Sequence, residues 1–116
     1  MGVTRERVYP PLDGSIIIPE VLDFHWEHNA EQPAFVFSRD GSDELSEISY
    51  TEFGRACDRA AYALHPQHSG EERPVVAFIA LADTITYQAI TIGMMRAGLI
   101  VCYLLRWCHL LTLHIL

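Results

Sequence analysis

The chain has 116 residues, of which 50% are hydrophobic and 20% are charged, and its formal net charge at pH 7 is −7. This length and composition fit one small globular domain and exclude a disordered tail or a disulfide-dense scaffold, while the acidic charge excludes general nucleic-acid binding. The basic side chains are all arginines, so no lysine is available for a phosphate-binding loop or a Schiff base.

Charge is distributed unevenly along the chain. All acidic residues lie at or before Asp83, whereas the last stretch is apolar and its basic residues are Arg96 and Arg106. We therefore expect an irregular lead-in over 1–18, a folded unit over 19–100 and an apolar tail over 101–116.

The first predicted element is a helix over about 19–29. Pro19 suits the first helical position, where no backbone N–H is needed, and Glu20 and Asp23 favour the positive end of the helix dipole. Pro10 and Pro11 precede this helix, so the lead-in is expected to be irregular or extended.

Two β-type runs follow, Ala34–Ser38 and Glu47–Tyr50. The segment Arg39–Asp43 separates them and contains an Asp-Gly pair, in which glycine tolerates the positive φ of a tight turn. This pattern predicts a β-hairpin.

A second helix is predicted over 51–64. Ser49 and Glu52 form a capping-box pattern at its start. The apolar residues that recur at the spacing of one helical face are Phe53, Ala56, Cys57, Ala60 and Leu64.

The last predicted elements form a strand-helix-strand unit. Val75–Leu81 is a continuous apolar run, typical of a parallel strand buried on both faces. Asp83 can cap a helix that runs through Arg96, Gly98 is placed to end it, and a parallel strand is expected over 99–104. The fold class is therefore α/β, a β-hairpin continued as β-α-β-α-β with a partly parallel sheet.

Four of these segments match motifs of a known superfamily in order and spacing. Ile48–Phe53 is similar to the motif (Thr/Ser)-Tyr-x-Glu-Leu, and Gly93–Gly98 to a Leu-Lys-Ala-Gly motif that precedes a strand; Pro33–Phe37 and the strand 75–81 extend the match. The chain thus resembles adenylate-forming (AMP-binding) enzymes, which include acyl-CoA synthetases and peptide-synthetase adenylation domains. Ile18–His25 is most similar to fungal carboxylic acid reductases of the nonribosomal-peptide-synthetase-like type.

The resemblance implies that 19–100 is an incomplete, N-terminal part of an adenylation domain. Full-length relatives activate a carboxylic acid with ATP and Mg²⁺ and pass the acyl group to a thiol of coenzyme A or phosphopantetheine. That chemistry needs a Ser/Thr/Gly-rich phosphate loop, an acidic motif for ribose and Mg²⁺, and a lysine; this chain has no lysine and no segment that matches the loop or the acidic motif. We expect no catalytic, cofactor-binding or metal-binding residue in this chain, no cofactor, and no activity of the chain alone.

The tail departs from the family pattern at Val101. Leu99 and Ile100 continue the expected strand, but the Val101–Cys102 pair does not fit it. Codons for Val-Cys can spell the start of an intron, so we hypothesise that the tail is translated intron sequence or another incorrect end of the gene model.

The tail also leaves open a different class of function, a small non-enzymatic protein with a C-terminal membrane anchor or partner-binding helix. Residues 99–116 only just reach spanning length, and Arg106, His109 and His114 lie within them, which disfavours insertion. With no signal peptide and no disulfide framework, we expect a cytoplasmic protein.

Other reactive residues have structural interpretations that we prefer. A metal site in the tail would use Cys-x5-Cys-His, a spacing that is not typical of zinc sites; its residues are Cys102, Cys108, His109 and His114. His25 and His28 could share an ion only with a third ligand, and Cys57 is expected in the core. His65 and His68 lie in a predicted loop.

Overall fold

A computed structural model describes residues 6–39, 41, 43–64 and 73–103. The order of elements agrees with the sequence prediction. The elements are α1 Ile18–His28, β1 Pro33–Ser38, β2 Leu45–Ser49, α2 Tyr50–Leu64, β3 Val75–Phe78, α3 Thr84–Arg96 and β4 Ile100–Tyr103. The predicted loop containing His65 and His68, and the tail beyond Tyr103, lie outside the described residues.

The predicted hairpin is confirmed, because β1 pairs antiparallel with β2 and Phe35 stands opposite Ile48. Gly41, in the connection between the strands, has a φ of 70°, as a turn glycine requires. Its neighbour Asp40 lies outside the described residues.

The capping box at the start of α2 is confirmed and moves the helix start by one residue. The backbone N–H of Ser49 donates to Glu52 Oε2 at 2.8 Å, and the Glu52 N–H donates to Ser49 Oγ at 3.2 Å. With Ser49 fixed as the cap, Tyr50 is the first helical residue, although its β propensity had placed it in the strand.

The strand-helix-strand unit is also confirmed. β3 and β4 pair in parallel, with Val75 opposite Ile100. The Asp83 side chain accepts the Thr86 N–H at 2.9 Å and so caps α3, and Gly98 follows the helix at a φ of 81°. β4 includes Val101, so the strand continues beyond the point where the sequence leaves the family pattern.

Two expectations about the strands were wrong. Among the described residues, β3 ends at Phe78 rather than at Leu81, and β4 is its sole partner, so it is not an interior strand. The described fold is α/β with two separate two-stranded sheets, one antiparallel and one parallel, because no described strand joins the hairpin to the β3–β4 pair.

A small core lies where α1, α2, α3 and the hairpin meet. Its buried residues are Leu22, Phe53, Cys57 and Ala89. Phe35 of β1 packs edge-on against Phe53, with ring centroids 4.9 Å apart. The two long helices α2 and α3 approach closely at Gly93, where a Cβ atom would lie only 2.6 Å from the Ala60 Cβ.

Candidate functional site

One face of the parallel β3–β4 sheet is apolar and uncovered within the described residues. Val75 is 68% exposed and Ile100, opposite it, is 49% exposed. Ala77 and Cys102, the next pair on this face, are exposed as well. Parallel sheets in globular proteins are normally covered on both faces, so this surface is suited to packing against a further layer.

The opposite face of the same sheet is packed in the ordinary way. Phe78 of β3 lies against Tyr87 of α3, with ring centroids 4.6 Å apart, and Val76 is half-buried. The unit therefore has a covered side formed by α3 and an open side whose apolar residues meet solvent.

A second open surface is an apolar groove between the hairpin, α2 and α3. It consists of two adjoining hollows of about 550 and 360 Å³ that share Ile48, Ile85 and Thr86. Phe35 of β1 lines the larger hollow, and Ala89 lines the smaller one. We call it the hairpin groove; its described walls offer mainly hydrocarbon and bring together no set of catalytic side chains.

The N-terminus of α3 is the described helix end that follows a parallel strand, a common place for a phosphate group. Here Asp83 occupies it: its Oδ1 accepts the Thr86 N–H at 2.9 Å and its Oδ2 accepts the Thr86 hydroxyl at 2.6 Å. Hydrogen bonds from Thr86 lower the pKa of Asp83, so the carboxylate is ionised at neutral pH. A fixed negative charge at this helix end repels an incoming phosphate.

An acidic cleft of about 430 Å³ lies beside the start of α2. Its charged lining residues are Glu31, Glu47, Glu52 and Arg55. Glu52 is committed to capping, and hydrogen bonds from the Ser49 backbone and side chain lower its pKa. Across the described ranges, no three His, Cys, Asp or Glu side chains are grouped so that they could hold a metal ion.

The structure places Cys57 in the core, as the sequence indicated. The residue is fully buried, and burial raises the pKa of its thiol to about 11. The thiol is therefore protonated at neutral pH and unsuited to nucleophilic attack.

The two histidines of α1, His25 and His28, lie in different surroundings. His25 stacks on Tyr50, with ring centroids 4.6 Å apart, and its Nδ1 lies 2.9 Å from Asn29 Nδ2. His28 packs on Phe24 with ring centroids 4.4 Å apart, and Phe24 also meets His25 edge-on at 5.8 Å. The two imidazoles thus share Phe24 but differ in their other described contacts.

The remaining predictions fall mostly outside the described residues. Of the four residues considered for a metal site in the tail, the structure describes Cys102 alone, and its thiol is free. No described helix is both long enough and apolar enough to cross the bilayer. The membrane-anchor hypothesis concerns the tail, so it stays untested.

An ionic cluster that the sequence analysis missed joins the three helices. The Arg96 guanidinium of α3 binds Asp23 of α1 through Nη2 and Asp58 of α2 through Nη1. The Arg96 side chain is 17% exposed, while the aspartates are 59% and 51% exposed. These residues are too distant in sequence for a local pattern to predict that they pair. The feature that could have suggested the cluster is that Arg96 is a charged residue at the end of an apolar helix.

We expect Arg96→Met, which keeps the aliphatic stem, to lower the free energy of unfolding by about 1 kcal/mol. The loss stays modest because both aspartates remain hydrated and the buried Arg96 Nε has no hydrogen-bond partner among the described residues. Urea unfolding at low and high salt measures this effect. The difference from wild type should shrink at high salt, whereas the exposed Arg59→Met on α2 should change stability by less than about 0.5 kcal/mol. A salt-independent difference would contradict an ionic origin.

Comparison with known proteins gives one consistent set of relatives. The chain is 47% identical over 93 residues to one adenylate-forming reductase of Serpula lacrymans var. lacrymans, and 43% identical over 98 residues to another. It is 32% identical over 99 residues to an adenylate-forming reductase of Heterobasidion annosum. These matches cover 77–84% of the chain but span only 8–9% of each relative's length. No protein-family model and no solved structure matches the chain.

Proposed function

Most of this chain is homologous to a segment of the adenylate-forming reductases, and we propose that it provides structural elements of a carboxylate-activating domain without providing the reacting groups. The homology confirms the resemblance drawn from the Ile48–Phe53 and Gly93–Gly98 motifs. In the proposed domain, a carboxylate oxygen attacks the α-phosphorus of ATP and pyrophosphate leaves. The sulfur of a coenzyme A or phosphopantetheine thiol then attacks the acyl carbon of the adenylate, the thiol proton is lost, and AMP leaves as the thioester forms.

One observation supports the proposal that the chain supplies structure and not reacting groups. The described polar side chains that could be considered for an adenylation reaction already have structural roles. Asp83 caps α3, Glu52 caps α2, and the Cys57 thiol is buried. The motif residues act in the same way: Ser49 starts a helix, and Gly98 allows the chain to leave one at positive φ. The chain also contains no lysine to stabilise the charge that develops on the adenylate.

The uncovered apolar surfaces support the second part of the proposal, that the chain is part of a larger domain. The open face of the β3–β4 sheet carries Val75 and Ile100, which a complete parallel α/β sheet would cover. The hairpin groove exposes a second apolar surface. In the proposed domain, further strands and helices pack on both.

The free thiols of Cys57 and Cys102 also support placing the protein in the cytoplasm, because a reducing compartment keeps cysteines unpaired. We propose this location together with the adenylation-domain role.

The proposal is tested by carboxylate-dependent ATP–pyrophosphate exchange with the purified 116-residue chain. We expect no exchange above the rate without carboxylic acid for a panel of aromatic and aliphatic acids. The adenylate-forming reductase of Serpula lacrymans that is 47% identical to the chain serves as the full-length positive control. Exchange by the chain alone that rises with acid concentration would overturn the assignment of a purely structural role.

A further inference from the structure

A group of polar contacts at the start of the described chain forms a unit that the proposed function does not use. We propose that residues 7–10 of the lead-in are held against α1 by a latch, formed by Asn29 and His25, that opens when the His25 imidazole takes up a proton.

Asn29 is the fixed part of the latch. Its side chain is 3% exposed and makes a two-point contact with the lead-in: the Val8 N–H donates to Asn29 Oδ1 at 3.0 Å, and Asn29 Nδ2 donates to the Val8 carbonyl at 2.7 Å. Turning the amide over would break both bonds at once. The pairing with Val8 therefore decides which end of the amide carries the hydrogens.

That assignment fixes the tautomer of His25. The second N–H of Asn29 Nδ2 points to His25 Nδ1 at 2.9 Å, so Nδ1 must be the acceptor and the ring proton must be on Nε2. A proton added at Nδ1 would set one donor against another, because Asn29 cannot offer its oxygen without releasing Val8. The closed latch is therefore compatible with neutral His25 alone.

The groups that face His25 from the neighbouring elements also favour its neutral form. The lead-in presents the cationic Arg7, which also donates to Gln32 Oε1 at 2.7 Å and to the Pro33 carbonyl at 3.1 Å. α2 presents Tyr50, whose ring stacks on His25 and lies 5.9 Å from the Arg7 guanidinium carbon. An imidazolium would thus be repelled by Arg7 and would lose the Asn29 hydrogen bond, and both partners tie the lead-in to the fold.

The direction of the pH effect follows from the same contacts. Burial, and then the charge of Arg7, lower the pKa of His25 below its ordinary value of 6.5. For a group whose pKa is lowered in the closed state, the stabilisation is fully present above pH 6.5 and is lost as the pH falls through the lowered value. The latch should therefore be most stable at neutral pH and should weaken as the pH falls below 6.5 toward the lowered pKa of His25.

Nuclear magnetic resonance on the whole 116-residue chain tests the latch directly. The ¹⁵N shifts of His25 should show the Nε2–H tautomer at pH 7.5. As His25 titrates, the protection factor of the Val8 amide against hydrogen exchange should fall by about tenfold for each unit by which the measured pKa of His25 lies below 6.5. An Nδ1–H tautomer, or Val8 protection that stays constant while His25 titrates, would overturn the proposal.

Variants separate the latch from general acid destabilisation. His25→Phe keeps an aromatic ring over Tyr50 but cannot titrate, so the acid-dependent fall in Val8 protection should disappear. His28→Phe, on the same helix but outside the contacts with the lead-in, should retain it. If His25→Phe keeps the wild-type pH step, the proton does not act at His25 and the latch is refuted. Should His25→Phe fail to fold, the tautomer and protection measurements on the wild-type chain decide the question alone.

Discussion

Replacing Gly93 with valine is expected to lower the free energy of unfolding by about 3 kcal/mol, enough to unfold a large fraction of a small domain at room temperature. An added Cβ would lie 2.6 Å from the Ala60 Cβ, 2.9 Å from the Ala61 nitrogen and 2.9 Å from the Cys57 carbonyl oxygen. Two of these three atoms are backbone of α2, so no side-chain rotation relieves the overlap. α3 would have to move away from α2, opening the core on both sides of the crossing.

The Gly93→Ala variant combines a gain in helix propensity with a loss from steric overlap. Gly93→Ala gains about 1 kcal/mol from better helix propensity, yet the same close contacts remain, so we expect a net loss of about 1–2 kcal/mol. Gly54→Ala on α2 is the matched control. The atoms near its added Cβ, at 2.4–2.8 Å, all belong to the ring of one half-buried side chain, Trp26, and not to helix backbone, so its cost should be smaller. Urea midpoints measured with an unchanged slope give the comparison, and equal stability of Gly93→Ala and wild type would contradict a close helix crossing.

Local patterns predicted most of the described fold because each rests on groups a few residues apart. The Ser49–Glu52 box and the Asp83 cap satisfy backbone N–H groups within one helical turn, so the residues alone indicate where α2 and α3 begin. The Gly98 helix end and the turn at Gly41 likewise follow from the conformational freedom of single glycines.

Burial of β3 could not be predicted in the same way, because burial depends on what covers a strand. The apolar run from Val75 predicts cover on both faces, yet among the described residues Val75 is 68% exposed while Val76 is half-buried against the helix side. The hydrophobic pattern thus fits a strand inside a larger sheet better than it fits the two-stranded sheet described. This mismatch agrees with the homology to a much longer protein, of which the chain spans 8–9%.

The polar groups that sequence reasoning missed lie far apart along the chain. Arg96 joins Asp23 and Asp58, and Asn29 joins Val8, through side chains whose meeting is decided by how helices pack and by how the lead-in returns to α1. The motif interpretation succeeded for a related reason. The motif spacing reflects cap and helix-end positions, which are local, whereas the adenylation chemistry needs a lysine, which the chain lacks, and a phosphate-loop motif that no segment of it matches.

Core deletion at Phe53 should have the largest effect among the side-chain truncations, a loss of about 3–5 kcal/mol for Phe53→Ala. Phe53 is 5% exposed, lies in the cluster with Leu22 and Cys57, and packs against Phe35 of the hairpin. It is thus a central contact between the hairpin and the helices.

A matched control and a milder variant keep this prediction testable even if Phe53→Ala does not fold. Tyr62 is on the same helix, has an aromatic ring of similar size and is 87% exposed, so Tyr62→Ala should change stability by less than about 0.5 kcal/mol. Phe53→Leu removes part of the ring and should cost about 1–2 kcal/mol, with the loss of hydrogen-exchange protection in β1 and β2 as a local readout. If Phe53→Leu leaves the hairpin amides as protected as in wild type, the hairpin is attached through other contacts. If they are lost together with those of α2, the helices and the hairpin unfold as one cooperative unit.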